Sequence, residues 1–287
     1  MSIAPRGMGL YVRHLTEERH GSPANFGRLL TDHDVSWVAI GGPWQDRDGS
    51  RWVNRPEVVE RYSEGLLDVG VLPWVWGYPW WDRPQEWLDR MMRCVSADIA
   101  GVIINAELGV KGHPEVARRL FTELRRALPR LPIALSSYGV ARWHGDGRPE
   151  TVSDFPWEAF GGHMSEGAPQ AECDCSMPQV YELSERLMGM ALRQHVELGF
   201  DLLVPSFGAF HHVTTPIADG GTKKMAVSYL PGELRQHLDR LFACREAVPF
   251  DGLICWADNW LMARPALWRV MAEYADRLGS LSNEAAL

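Results

Sequence analysis

Asn105 and Glu107 stand two residues apart at the end of the apolar run Gly-Val-Ile-Ile-Asn, just before Leu108 and Gly109. If that run is a strand, its period of two turns both side chains to the same side. A carboxylic acid placed there among apolar and aromatic groups holds its proton more tightly than in water, which is what a general acid needs. The plainer alternative is a glutamate that opens the next loop or pairs with Lys111. A strand-end position with aromatic surroundings favours acid–base chemistry at a leaving oxygen.

Other polar and aromatic residues gather at the ends of comparable runs. Gln179 and Tyr181 share one face of Met-Pro-Gln-Val-Tyr, with Glu182 next, and Trp256, Asp258 and Trp260 close the run 252–256 and its continuation. Trp74, Trp76, Tyr78, Trp80 and Trp81 crowd the end of the run 71–77, and Tyr138 follows the run 132–137. Each aromatic alone is an ordinary core residue, but a group of them at strand ends suits the apolar faces of sugar rings. Trp76, Trp80, Tyr138, Gln179, His211, Trp256 and Trp260 are the expected substrate contacts. A two-carboxylate arrangement stays open, with Glu107 as acid and Asp258 or Glu182 as partner, about 5–5.5 Å apart for retention or about 6.5–9.5 Å for inversion. Asp154 fits a helix cap or a solvated loop position better.

His211 and His212, even with His14, lack the Asp or His pairs that metal-dependent barrels place on early strands, so no metal site is expected. Cys173 and Cys175 are too tightly spaced for a usual zinc pair. No Gly-rich phosphate loop or nucleophile elbow occurs, and Gly161-Gly162 and Gly220-Gly221 read as turns, so no cofactor is expected.

Bringing so many strand ends to one face requires a particular scaffold. Eight short apolar runs, at 9–12, 36–41, 71–77, 101–105, 132–137, 177–181, 202–207 and 252–256, alternate with amphipathic stretches at 55–69, 84–98, 114–128, 182–199, 231–247 and 264–278. Pro56, Pro84, Pro114, Pro231 and Pro265 stand near first helical turns, and Gly70 and Gly199 follow helix ends. The pattern predicts a single (β/α)8 barrel over 1–287, with an open doubly wound sheet as the alternative. Two long connections break it, 138–176, where only a weak helical stretch surrounds Trp157, and 208–230, predicting long loops after the fifth and seventh strands and a reduced fifth helix. Residues 280–287 read as a frayed tail.

The combination resembles the barrel superfamily of chitinases and endo-β-N-acetylglucosaminidases, in which strand four ends in acid-x-Glu or Asn-x-Glu, strand six carries a Tyr and strand eight a Trp. Asn105-Ala106-Glu107, Tyr181 and Trp256 occupy those places. At strand four the chain is similar also to phage and bacterial muramidase-type barrels. The longer Asp-rich strand-four signature of typical chitinases is missing here. What the resemblance implies is glycoside hydrolysis at an N-acetylhexosamine in an amino-sugar polymer, peptidoglycan before chitin, with the substrate's own acetamido oxygen as nucleophile. Glu107 would protonate the leaving oxygen and then activate water, Asn105 and Tyr181 would hold the acetamido group, and Trp256 would floor the sugar site. A carbohydrate-binding or structural barrel without catalysis, such as a phage-tail or injection-system component, is the other-class alternative, and a metal-dependent hydrolase ranks below it.

Bulk properties set the limits. With 287 residues and 46% hydrophobic content the chain can bury one large core. A formal charge of −8 disfavours a nucleic-acid partner, whose phosphates call for clustered Lys and Arg. No apolar run approaches the roughly 20 residues needed to span a bilayer, and the N-terminus lacks the apolar core of a signal peptide. Together with five cysteines, an odd number, this predicts synthesis and folding in a reducing cytoplasm, with any wall substrate reached after lysis, phage delivery or injection. Thirteen tryptophans exceed ordinary usage and serve both core and sugar platform in this reading. Nothing in the sequence sets the oligomeric state.

Overall fold

Every one of the eight apolar runs contributes a parallel strand to the computed structural model, which describes residues 5–141, 154–161, 173–216 and 222–284. The strands are β1 (Gly7–Val12), β2 (Val35–Asp46), β3 (Leu72–Tyr78), β4 (Gly101–Asn105), β5 (Ile133–Tyr138), β6 (Cys175–Gln179), β7 (Ser206–Gly208) and β8 (Gly252–Trp256). They pair in chain order, and β1 pairs with both β2 and β8, which closes the barrel.

Large side chains fill the interior, and glycines make the space for them. Gly9 of β1 lies beside Trp37 of β2 in register, and a Cβ on Gly9 would fall 2.2 Å from that indole. Gly101 of β4 likewise lies beside Trp74 of β3, where a Cβ would fall 2.3 Å from the ring. Trp37, Trp74 and Trp76 are fully buried there with Tyr11, Ile103 and Met177. The indole N–H groups of Trp37 and Trp74 have no partner among the described residues, so these two side chains act through volume. A larger apolar core lies between the barrel wall and the helices.

The outer layer contains α1 (Glu17–His20), α2 (Pro23–Thr31), α3 (Pro56–Leu67), α4 (Pro84–Cys94), α5 (Pro114–Ala127), α6 (Glu185–Glu197), α7 (Pro231–Ala243), α8 (Asp258–Ala263) and α9 (Ala266–Glu284). Five of them carry proline in the first turn, and Ser22 and Ser184 cap α2 and α6 by accepting the amides of Asn25 and Leu187. After β5 the described residues hold one 3-10 turn, Trp157–Phe160, in place of a full helix. No helix among the described residues is long and apolar enough to cross a membrane.

Several boundaries depart from the sequence pattern, each for a local reason. β2 runs past Gly41 to Asp46 and folds back through an Asp-Arg-Asp-Gly turn onto the strand Gly49–Trp52. β7 is short because Pro205 has no amide to pair; its upstream residue Leu203 keeps a single bridge to Ser176. The connection after β7 is a two-stranded ribbon, Phe210–Pro216 against Thr222–Ser228, as its β-branched content allows. α9 continues through Gly279 to Glu284, since one glycine costs a helix only about 1 kcal/mol.

Candidate active site

The C-terminal ends of the strands surround a cavity of about 390 Å³. Asn105, Glu107, Gln179, Tyr181, Trp256 and Trp80 line it, as expected from sequence, and three further residues join them: Trp44, Asp46 and Tyr78.

Register assembles its centre. Asn105 at the end of β4 lies beside Ser136 of β5, and Tyr138 of β5 lies beside Gln179 of β6. From there the Gln179 amide Nε2 donates to Glu107 Oε1 at 2.8 Å, to Asn105 Oδ1 at 3.1 Å and, more weakly, to Ser136 Oγ at 3.4 Å. Glu107 is half-buried in the turn after β4, its carbonyl accepting from the Val110 amide at 3.2 Å. Burial pushes its carboxyl above the ordinary carboxylate range, against the pull of its hydrogen bonds with Gln179 and Asn105.

Four tyrosines feel its charge. Burial first, and the Glu107 carboxylate in addition, push the phenols of Tyr11, Tyr78 and Tyr181 far up and that of Tyr138 to about 12. All four are therefore neutral hydroxyls at any working pH. Tyr181 shares a 3.0 Å hydrogen bond with Ser206 Oγ. Trp256 closes β8 with its ring edge-on to Tyr11 and Trp76, centroids 5.0 and 5.4 Å apart.

The remaining predicted residues lie outside the cavity lining. Trp76 sits beneath Trp256 inside the barrel, its indole N–H donating to the Val12 carbonyl at 3.3 Å. Asp258, fully buried, accepts from the Arg13 amide at 3.0 Å and bonds His20 Nε2 at 3.0 Å. Glu182, at φ 52°, accepts both the backbone amide and Nδ1 of His212, at 2.6 and 2.5 Å. Partial burial acts against that carboxylate's charge, but the His212 bonds outweigh it and hold the group low. His211 lies against Tyr229, Trp260 stacks on Phe210 at 5.5 Å, and Tyr138 meets Phe155 edge-on at 5.7 Å. His14 bonds the Val53 carbonyl. Asp154 forms part of the segment before the turn Trp157–Phe160, where its carbonyl accepts from Gly112 at 2.9 Å.

Asp46 is the second carboxylate in the cavity wall. Burial works against its charge, yet the Trp44 indole, the Asp48 amide and Arg51, at 3.0, 3.0 and 2.8 Å, outweigh it and hold the group low. Fully buried Gln45 joins this hairpin to the next wall. Its Oε1 accepts the Trp80 amide at 3.1 Å, and its Nε2 donates to the Arg83 carbonyl at 3.0 Å and to Ser50 Oγ at 2.9 Å. The hairpin was legible in Asp-Arg-Asp-Gly followed by Ser-Arg-Trp, a turn signal between strand-forming residues.

No protein-family model matches this sequence, and no curated protein aligns with it. Its fold is similar to that of the spore cortex-lytic enzyme SleL of Bacillus megaterium QM B1551, at 10% identity and a TM-score of 0.61 over 93% of this chain and 73% of that one. It is similar to a chitinase from Chromobacterium violaceum ATCC 12472, at 12% identity and 0.56, over 92% and 98% of the two chains. Human YKL-39, described as a pseudo-chitinase with retained chitooligosaccharide binding, shares the fold at 8% identity and 0.60, over 94% and 99%. At such identities the likeness is one of fold: a single closed (β/α)8 barrel.

Proposed function

We propose that this protein is a glycoside hydrolase acting at an N-acetylhexosamine of an amino-sugar polymer, peptidoglycan before chitin, with Glu107 as general acid and base. The observation that carries the reading is the Glu107 carboxyl itself, held at the barrel mouth by two amides, with its proton affinity raised by burial. Asp46 shares the cavity, but three donors occupy it and favour its charged form, so Glu107 is left as the carboxyl suited to carry a proton.

Among the described residues the lining holds no second carboxylate free of its own donors, which favours substrate assistance. In the first step the acetamido oxygen bonds to the anomeric carbon as the glycosidic C–O bond breaks, and the Glu107 proton passes to the leaving oxygen. In the second, Glu107 takes a proton from water, the water oxygen attacks the anomeric carbon, and the acetamido group is released. Asn105 and the Tyr181 hydroxyl are the groups to hold the acetamido function, with Trp256 under the ring.

Glu107→Gln keeps the hydrogen bond from Gln179 and removes the proton. Reducing-sugar release from cell walls or chitin oligosaccharides is expected to fall roughly 10²–10⁴-fold in this variant with the melting curve retained. Mass spectrometry of the products identifies the bond. Unchanged turnover defeats the mechanism, and sugar binding without hydrolysis by the wild type would move the protein to the non-catalytic class.

A further inference from the structure

Three features of the rim across the barrel from Glu107 share one chemistry. Arg13 follows β1 directly, and its backbone is clamped from two sides: the amide donates to Asp258 at 3.0 Å, and the carbonyl accepts from Asn54 Nδ2 at 2.8 Å. The side chain is exposed, its guanidinium 5.9 Å from the centre of the Trp256 ring, and it forms no ion pair among the described residues. Trp256 is a wall of the cavity, so a full positive charge stands at the edge of the site on an anchored backbone, with no carboxylate on its donors among the described residues.

The ribbon after β7 supplies the second feature. Its register places Lys224 beside Thr214 and Ala226 beside His212, so alternation puts Phe210, His212 and Lys224 on one face. At the base of this face Phe210 lies 5.8 Å from Tyr181, a residue of the cavity wall. Lys223 and Lys224 are exposed and form no ion pair among the described residues, although the charge of Lys224 helps to hold Glu182, bonded to His212, in its charged form. Third, β1, β8 and β7 are consecutive in the closed sheet, so these cations border one continuous arc. Acids outnumber bases 37 to 29 in the chain, which makes Arg13, without an ion pair among the described residues, and the two exposed lysines a local departure from the overall charge.

We infer that this arc is an anion-reading subsite, in which Arg13 and secondarily Lys224 bind a carboxylate carried by the glycan next to the sugar held on Trp256. The inference rests on the glycosidase reading of the cavity and names its substrate as an acidic glycan in place of neutral chitin. A planar guanidinium beside an aromatic floor takes a carboxylate through two parallel hydrogen bonds, and the lysine adds charge from the far side. The carboxylate belongs either to the sugar itself, as in a lactyl ether, or to a peptide attached to it.

The test is a cycle of Arg13→Gln against chemical reduction of the glycan's carboxyl groups to alcohols, using defined peptidoglycan fragments with and without stem peptides. Arg13→Gln is expected to lower kcat/KM on the acidic fragment about five- to tenfold, and carboxyl reduction to do the same to the wild type, with little further loss when the two are combined. Arg13→Lys recovers part of the loss, Lys224→Gln shows a smaller one, and the wild-type rate falls with ionic strength. An effect on peptide-free fragments assigns the sugar carboxylate, and one confined to peptide-bearing fragments assigns the peptide. Additive losses, or an Arg13→Gln rate equal to wild type, overturn the subsite. If no glycan is turned over, the glycosidase reading fails separately, and calorimetric titration of Glu107→Gln with and without Arg13→Gln still decides whether the arc binds the carboxylate.

Discussion

Glu107 is tuned by two opposing influences, burial that raises its proton affinity and the amides of Gln179 and Asn105 that lower it. In the proposed role of general acid Glu107 must be protonated, so kcat/KM is expected to fall as pH rises through the Glu107 pKa. Gln179→Leu removes a donor that stabilises the carboxylate, so the pKa climbs and the alkaline limb of the pH–rate profile moves to higher pH, with a rate about tenfold lower from the lost positioning. A limb that stays put or moves to lower pH would show that Gln179 does not touch the catalytic ionisation. At this scale sequence carried far: Asn105, Glu107, Gln179, Tyr181 and Trp256 were each readable from strand-end alternation. Asp258 was not, because α8 begins at that residue and turns the carboxylate toward His20 and the β1 end, a direction that no spacing rule contains.

Between elements, the site depends on ties that alternation does not encode. Gln45 binds the β2 hairpin to the turn bearing Trp80, so that two cavity walls form one unit. Asp258 does the same across the seam where the barrel closes, joining the end of β8 to the end of β1. Asp258→Ala leaves the Arg13 amide and His20 without their acceptor in a buried setting, and a loss of about 3–5 kcal/mol in urea denaturation is expected. A loss under about 1 kcal/mol would mean that the seam is held elsewhere. The β2 hairpin and the ribbon after β7 were hidden from the apolar pattern for the same reason. The hairpin extends through Gly42, Pro43, Gln45 and Asp46, and the ribbon's second strand is largely exposed, so neither shows the run of apolar side chains on which the pattern depends.

For the molecule as a whole, barrel closure was legible because eight runs alternate with helices, and parallel strands buried on both sides read as continuous apolar segments. The matching of glycine to tryptophan inside was not, since it joins Gly9 to Trp37 and Gly101 to Trp74 only once the register is known. Gly101→Ala is expected to destabilise the fold by about 1–3 kcal/mol or more, because the added methyl meets a fully buried indole; thermal denaturation within a degree of wild type would refute that packing. The barrel's tryptophans form two close sets of chromophores: Trp37 with Trp74 at 6.0 Å, and Trp76 with both Trp44 at 6.1 Å and Trp256 at 5.4 Å. Transition dipoles held so near and so far from parallel couple as excitons. The closed barrel therefore carries an intrinsic circular-dichroism signature, and because one set ends at Trp256 in the cavity wall, a sugar settling there would write its arrival into the optical activity of Trp44, Trp76 and Trp256 together.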